Sequence, residues 1–263
     1  KDINSIHIID GYIKKGNVLK FKTISIEENK NIILINNLKL DKNFKILDIE
    51  KVNINYKNKN KILNKINLRK DSSNFIVEGD NLDLSKLIDN IMDNNDENSS
   101  IFENLNSRVD INIKKTYIDE INHLNNLSGY IILKDNKIDN LILDADFPNN
   151  QKISFTVITN DVNETTSSLI TDYPKPLIKR YKFIKGFEEG YLNFNSIKKD
   201  GVSNSVLTID NFKVKEVPVF AKLLSLASLQ GIADLLTGEG IRFTDFEMRY
   251  SSQKGLTNIK EMY

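Results

Sequence analysis

Hydrophobic and polar residues alternate along most of this chain. Val52, Ile54 and Tyr56 alternate with Asn53, Asn55 and Lys57; Val109, Ile111 and Ile113 alternate with Asp110, Asn112 and Lys114; Leu141, Leu143, Ala145 and Phe147 alternate with Asn140, Asp144 and Asp146. Successive side chains of a strand point to opposite faces, so this spacing predicts strands with one apolar and one wet face. Less strict runs at 4–13, 17–27, 30–40, 127–134, 152–159, 189–197, 205–214 and 241–250 extend the pattern, with turns such as "KDNK" (134–137) and "KKDG" (198–201) between them. The expected fold is mainly β: a large curved antiparallel sheet, groove- or taco-like, with a few short amphipathic helices. In "IRFTDFEMRY" the apolar set moves from Ile241 and Phe243 to Phe246, Met248 and Tyr250. That change of parity predicts a β-bulge near Thr244 and a bend in the sheet there.

Helical spacing is confined to three places. Leu84, Leu87, Ile88 and Ile91 follow Asp83, a suitable N-cap, at i, i+3, i+4 and i+7. A second helical patch is expected around 162–184, interrupted by Pro174 and Pro176. The third is "VPVFAKLLSLASLQGIADLLTGEGIRF" (217–243), where Pro218 suits a first helical position and Phe220, Leu223, Leu224 and Ala227 form a stripe. Ile232 and Leu235 continue that stripe past a kink at Gly231, giving a helix over 217–236. Only eleven uncharged residues separate Lys222 from Asp234, whereas a bilayer-spanning helix needs about 20 predominantly apolar ones. The helix is therefore expected to pack on the sheet, with an interfacial or gating helix as the alternative. "DNNDENSS" (93–100) is a polar low-complexity stretch. It divides the chain into an N-terminal β segment (1–92) and a C-terminal β region (101–263). The absence of an initiator Met at Lys1 suggests a fragment or a processed form.

Composition narrows the function classes. The 263 residues are 40% hydrophobic and 28% charged, enough for a substantial core. Lys and Arg number 37 against 36 Asp and Glu, with the signs intermixed, so the basic excess of a general nucleic-acid binder is missing. No Cys is present, which removes disulfides, thiolate metal sites and a cysteine nucleophile. His7 and His123 have no second His or Cys at ligand spacing. Asp144 and Asp146 resemble the paired aspartates of some metal-dependent transferases, but their alternation with Leu143, Ala145 and Phe147 reads as a solvated strand face. No phosphate-binding glycine loop or nucleophile elbow occurs. The expectation is a non-enzymatic protein with no cofactor and no metal.

The segment "LTIDNFKVKEVPVFAKLLSLASLQGIADLLTGEGIRFTDFEMRY" (207–250) resembles the C-terminal region of AsmA-like proteins, in their YhdP-like branch. Asp210, Phe212 and Val214 match the D-x-F-x-V strand end, Pro218 to Leu236 the Leu/Ala/Ser-rich helix, and Gly238, Glu239, Gly240, Ile241 and Phe243 the G-E-G-I-x-F element. Weaker likeness runs through "FIVEGDNLDLSKLIDNIM" (75–92) and "LSGYIILKDNKIDNLILDADF" (127–147). Relatives richer in Gly, Ala and Arg are matched here by Asn, Ile and Lys, without disturbing the alternation.

The resemblance implies a segment of a long periplasmic protein of Gram-negative bacteria, attached to the inner membrane by an anchor outside this chain. Its implied role is to bind or conduct phospholipid along an apolar β-groove between the inner and outer membranes. On that expectation Leu141, Leu143, Ala145, Phe147, Ile153, Phe155 and Val157 line the groove. Phe220, Leu223, Leu224, Ala227, Ile232 and Leu235 cap it. The partners are then phospholipid acyl chains and a membrane, not nucleic acid. The alternative is a non-enzymatic scaffold for outer-membrane assembly, which predicts a closed core and an exposed sheet edge.

Overall fold

The computed structural model describes residues 5–14, 18–86, 105–135, 137–179, 186–215, 240–253 and 255–263. The architecture is mainly β, with large open sheets, as the alternation predicts. The chain forms two compact units, residues 1–148 and 149–263. The expected helix over 217–236, with Phe220, Leu223, Leu224, Ala227, Ile232 and Leu235, lies outside the described residues, as does the 93–100 stretch.

The first unit contains β1 (Ser5–Lys14), β2 (Val18–Glu28), β3 (Asn31–Leu40), β4 (Ile46–Asp48), β5 (Lys51–Lys57), β6 (Leu63–Asp71), β7 (Asn74–Asp83), β8 (Ser107–Tyr117), β9 (His123–Lys134) and β10 (Lys137–Asp146). The strands are hydrogen-bonded in chain order, with β4 also pairing β3. Pairing is antiparallel except between β7 and β8, which run parallel. This departs from the all-antiparallel expectation, and the cause is the connection. Tight turns force neighbouring strands to reverse, whereas residues 84–106 are long enough for a crossover. The strands flanking the 93–100 stretch are thus partners within one unit, and the division between units falls after Pro148. Where that crossover begins, the Asp83 carboxylate accepts the Ser85 N–H at 2.9 Å, the bond expected of an N-cap.

The second unit contains β11 (Lys152–Thr159), β12 (Thr165–Thr171), the short helix α1 (Lys175–Ile178), β13 (Phe187–Lys199), β14 (Val202–Val214), β15 (Ile241–Gln253) and β16 (Leu256–Met262). The strands pair antiparallel in chain order. The expected helical patch at 162–184 is corrected here: Thr165–Thr171 is a strand, and among the described residues of that span helix is confined to the four residues of α1. Thr165, Ser167, Leu169 and Thr171 alternate on one face and pair on both sides with β11 and β13. That pairing and the strand preference of Thr outweigh the weak helical spacing. The "KKDG" turn joins β13 to β14 through Asp200 and Gly201, both at positive φ (49° and 77°), as a two-residue hairpin demands.

Each unit has a core on one sheet face. In the first, buried Leu38, Ile49 and Phe75 gather half-buried Ile24, Ile35, Val52, Leu68 and Val109. In the second, Ile178, Phe187, Leu192, Ile209, Phe212 and Val214 are buried together, with Phe243 and Phe246 packed on them.

The parity change in β15 is present, but it is not an isolated bulge. Thr244 and Asp245 are both exposed, while Phe243 and Phe246 pack on the same core. In β14 the step falls between Ile209 and Phe212, and in β13 between Phe187 and Leu192. Because all three strands carry the extra residue at the same level, the pairing register is unbroken across them. Gly190 and Asn211 sit on this line with φ of 93° and 51°. A Cβ on Gly190 would stand 2.9 Å from Cβ of Phe212, so the strands approach there as only glycine allows. The result is a crease that crosses three strands and leaves one face apolar on both sides of it.

Candidate apolar ligand face

Directly opposed residues on neighbouring strands share a face and touch through their side chains. In the first unit one such line runs Ile9–Ile24–Ile35–Val52–Leu68–Val77–Ile111–Gly129–Leu143 across nine strands. The adjacent line runs His7–Ile26–Ile33–Ile54–Ile66–Gly79–Ile113–Leu127. The opposite face carries Asn53–Asn67–Glu78–Asn112–Ser128–Asp144 in the same register. The sheet is therefore strongly two-faced.

The apolar side chains from Ile24 to Ile111 are half-buried, as is Leu143. Their apolar surface is thus in partial contact with solvent, continuously from Ile24 to Ile111. Gly129 leaves a gap in the strip because no side chain fits: a Cβ would lie 1.9 Å from the carbonyl oxygen of Ile142.

In the second unit the corresponding line is Phe155–Leu169–Phe194–Leu207–Met248–Met262. From Phe155 to Met248 these residues are half-buried; Met262 on the outermost strand is exposed. The neighbouring line, Ile153–Thr171–Leu192–Ile209–Phe246, is buried at its centre.

The residues expected to line a groove fall in both units. Leu141, Leu143, Ala145 and Phe147 belong to the first; Leu141, Ala145 and Phe147 are buried there and Leu143 is half-buried. Ile153, Phe155 and Val157 belong to the second, with Val157 buried and the other two half-buried. Sequence reasoning missed most of the partially exposed strip, including Ile35, Leu68, Val77, Phe194 and Leu207. The signal was present as period-two spacing in each strand, but which residues stand side by side depends on register.

The polar side is held by ion pairs. Asp80, at the bulge in β7, bridges Lys65 at 2.6 Å and Lys114 at 2.8 Å. Hydrogen bonds from Lys114 and then Lys65 hold its carboxyl down to about 2. In the second unit an open depression of about 530 Å³ lies over the crease, lined by residues that include Tyr173, Glu188, Glu189, Asn211 and Arg242. The Lys215 hydrogen bond, with help from Lys175, holds Glu188 below the usual carboxylate range. Arg242, with Lys213, does the same for Glu189. Both glutamates are thereby kept ionised and engaged, the reverse of the raised pKa of a general acid.

Asp144 is exposed and Asp146 half-buried on either side of buried Ala145. His123 tilts against Tyr117 with ring centroids 5.6 Å apart, and burial, then Lys115, lowers its pKa. His7 lies on the edge strand β1 and is exposed. Comparison with family models, characterised proteins and solved structures yields no match to this chain.

Proposed function

We propose that this chain is a non-enzymatic lipid-binding segment of a membrane-anchored periplasmic protein of the AsmA-like kind. Acyl chains of phospholipid lie on its apolar strips on their way between the inner and outer membranes. The observation that carries the reading is the half-buried line from Ile24 to Ile111, backed by a polar face in the same register. Acyl chains need an apolar lining more than specific polar contacts, and each methylene removed from water contributes about 0.8 kcal/mol. The two membranes and the anchor rest on the resemblance of residues 207–250. Native mass spectrometry of the purified chain tests the reading: phospholipid should co-purify at defined stoichiometry, and a lipid-free chain that takes up none from mixed phospholipid vesicles would sink it.

The edge strands favour a second reading, a scaffold that pairs with another β-protein. Ile6, Ile8, Ile9 and Tyr12 of β1 are exposed, as are Leu256, Ile259 and Met262 of β16, and among the described residues each of these strands has a single hydrogen-bonded neighbour. Unpaired edges of this kind template strand addition. Proline placed at alternate positions of β16 would abolish partner pairing on this reading and leave lipid uptake unchanged on the first.

A further inference from the structure

The turn between β3 and β4 is built in the same way as two others. The Asp41 N–H donates to the Lys45 carbonyl at 2.9 Å and the Phe44 N–H to the Asp41 carbonyl at 3.1 Å. The Asp41 carboxylate accepts the Asn43 and Lys45 N–H groups at 2.9 and 2.7 Å. The same four bonds organise residues 58–62 around Asn58, between β5 and β6, and residues 160–164 around Asn160, between β11 and β12. This is the three-residue hairpin loop, whose last residue turns into the left-handed region. Lys61 and Asn163 hold that position at φ of 61° and 56°; in the first turn it is held by Phe44 at 62°.

Glycine or asparagine suits such a φ, whereas a bulky ring is strained there. Backbone strain persists at positions that serve a contact. Packing within the fold does not use this ring, because Phe44 is 72% exposed. Leu47 on β4 is exposed as well, and so is Lys42, two residues before the ring. Behind the turn, half-buried Leu40 and Ile46 pack in one cluster with Leu38, Ile24 and Ile35. An apolar path therefore leads from the turn to the half-buried strip of the first unit.

One ring on a convex turn offers far less than the ~1,200 Å² that a stable protein interface buries. A bilayer surface asks for less: an aromatic side chain enters the headgroup–acyl boundary and a neighbouring lysine is attracted to anionic lipid. We propose that the 41–45 turn is a membrane-contact tip, with Phe44 inserted into the interface of an anionic phospholipid bilayer and Lys42 at its headgroups. The choice of a bilayer rests on the lipid-binding reading above and adds to it the place where the chain meets the membrane.

The test uses the full chain and vesicles of phosphatidylcholine with phosphatidylglycerol. The chain has no Trp, so Phe44→Trp places a single fluorescent reporter at the tip. Its emission should shift to the blue on vesicle binding and be quenched by brominated acyl chains. Phe44→Asn, which installs the residue found at 163, should weaken vesicle binding about tenfold while the urea midpoint stays level or rises. Lys42→Gln should weaken it about fivefold. An emission that neither shifts nor is quenched, or native and Phe44→Asn chains that bind vesicles alike, overturns the tip. If that native chain still carries phospholipid in native mass spectrometry, the lipid reading stands; if it carries none, both fall. A lowered midpoint in Phe44→Asn would make the ring structural and overturn the argument from strain. Self-association of the native chain that Phe44→Asn abolishes, with vesicle binding unchanged, would assign the ring to a second copy and overturn the bilayer.

Discussion

Phe212 and Phe243 stand directly opposite each other on β14 and β15, with ring centroids 5.2 Å apart and planes 12° from parallel. Phe187 stacks on the other side of Phe212 at 5.4 Å and 17°. The three rings bridge three strands beside the crease, on the core side of Gly190 and Asn211. Phe212 is buried and Phe243 half-buried, so truncation should discriminate between them. Phe212→Ala should cost about 3–5 kcal/mol and Phe243→Ala less. The double variant should reveal a coupling of about 0.5–1.5 kcal/mol from the stack itself. Urea unfolding of the four proteins measures all three quantities; strict additivity would show that the rings merely share a cavity.

The crease makes a separate demand on the backbone. Asn211 holds φ at 51°, a left-handed conformation that asparagine tolerates and β-branched residues resist. Asn211→Val should therefore destabilise the chain by about 1–2 kcal/mol. Asn211→Gly should be neutral or slightly stabilising, despite removing a side chain from a strand. A glycine variant less stable than the valine variant would show that the asparagine side chain, and not the backbone, matters here.

The two-faced register predicts opposite outcomes for charges placed on its two sides. Leu143→Asp and Phe155→Asp put a carboxylate on an apolar line and should abolish phospholipid uptake. Asn67→Asp and Asn112→Asp put the same charge on the polar line and should leave uptake unchanged. Circular dichroism must show native strand content before a loss is credited to the lining. Equal uptake by folded variants of both kinds would remove the apolar strip from the mechanism.

Acid titration should expose the Asp80 bridge. Lys114 and Lys65 depress its pKa from 3.8 to about 2 in the folded chain. A depressed carboxylate contributes stability that is fully present above its unfolded value and is lost as pH falls through the folded one. The contribution should therefore fade between about pH 4 and pH 2, and added salt should shrink it because the pair is exposed. Asp80→Asn should flatten the pH dependence of the urea midpoint in that window. An unaltered profile would assign the acid sensitivity elsewhere.

Much of the fold is legible in the residues themselves. Strand periodicity is local, so Val52–Ile54–Tyr56 and Leu141–Leu143–Ala145 announce strands and the face each side chain takes. Asp83 as a cap and the "KKDG" hairpin turn are equally local, because each depends on hydrogen bonding or φ within a few residues. The stretch Thr165–Thr171 was less legible, since its strand state rests on partners in β11 and β13 and not on its own spacing. The parity change at Thr244 could be read from one strand, but its alignment with Asn211 and Gly190 could not.

The sequence by itself determined that this chain is built from two-faced strands and that its apolar surface is aliphatic and aromatic without catalytic groups at recognisable spacing. Only the tertiary structure decided which strands are neighbours, that β7 and β8 run parallel, and that Ile35, Leu68 and Ile111 fall on one line while Phe155, Phe194 and Leu207 fall on another. The physical reason is that side-chain direction repeats every two residues within a strand, whereas register is a choice among pairings distant in sequence. A slip of one residue would send every one of those side chains to the other face.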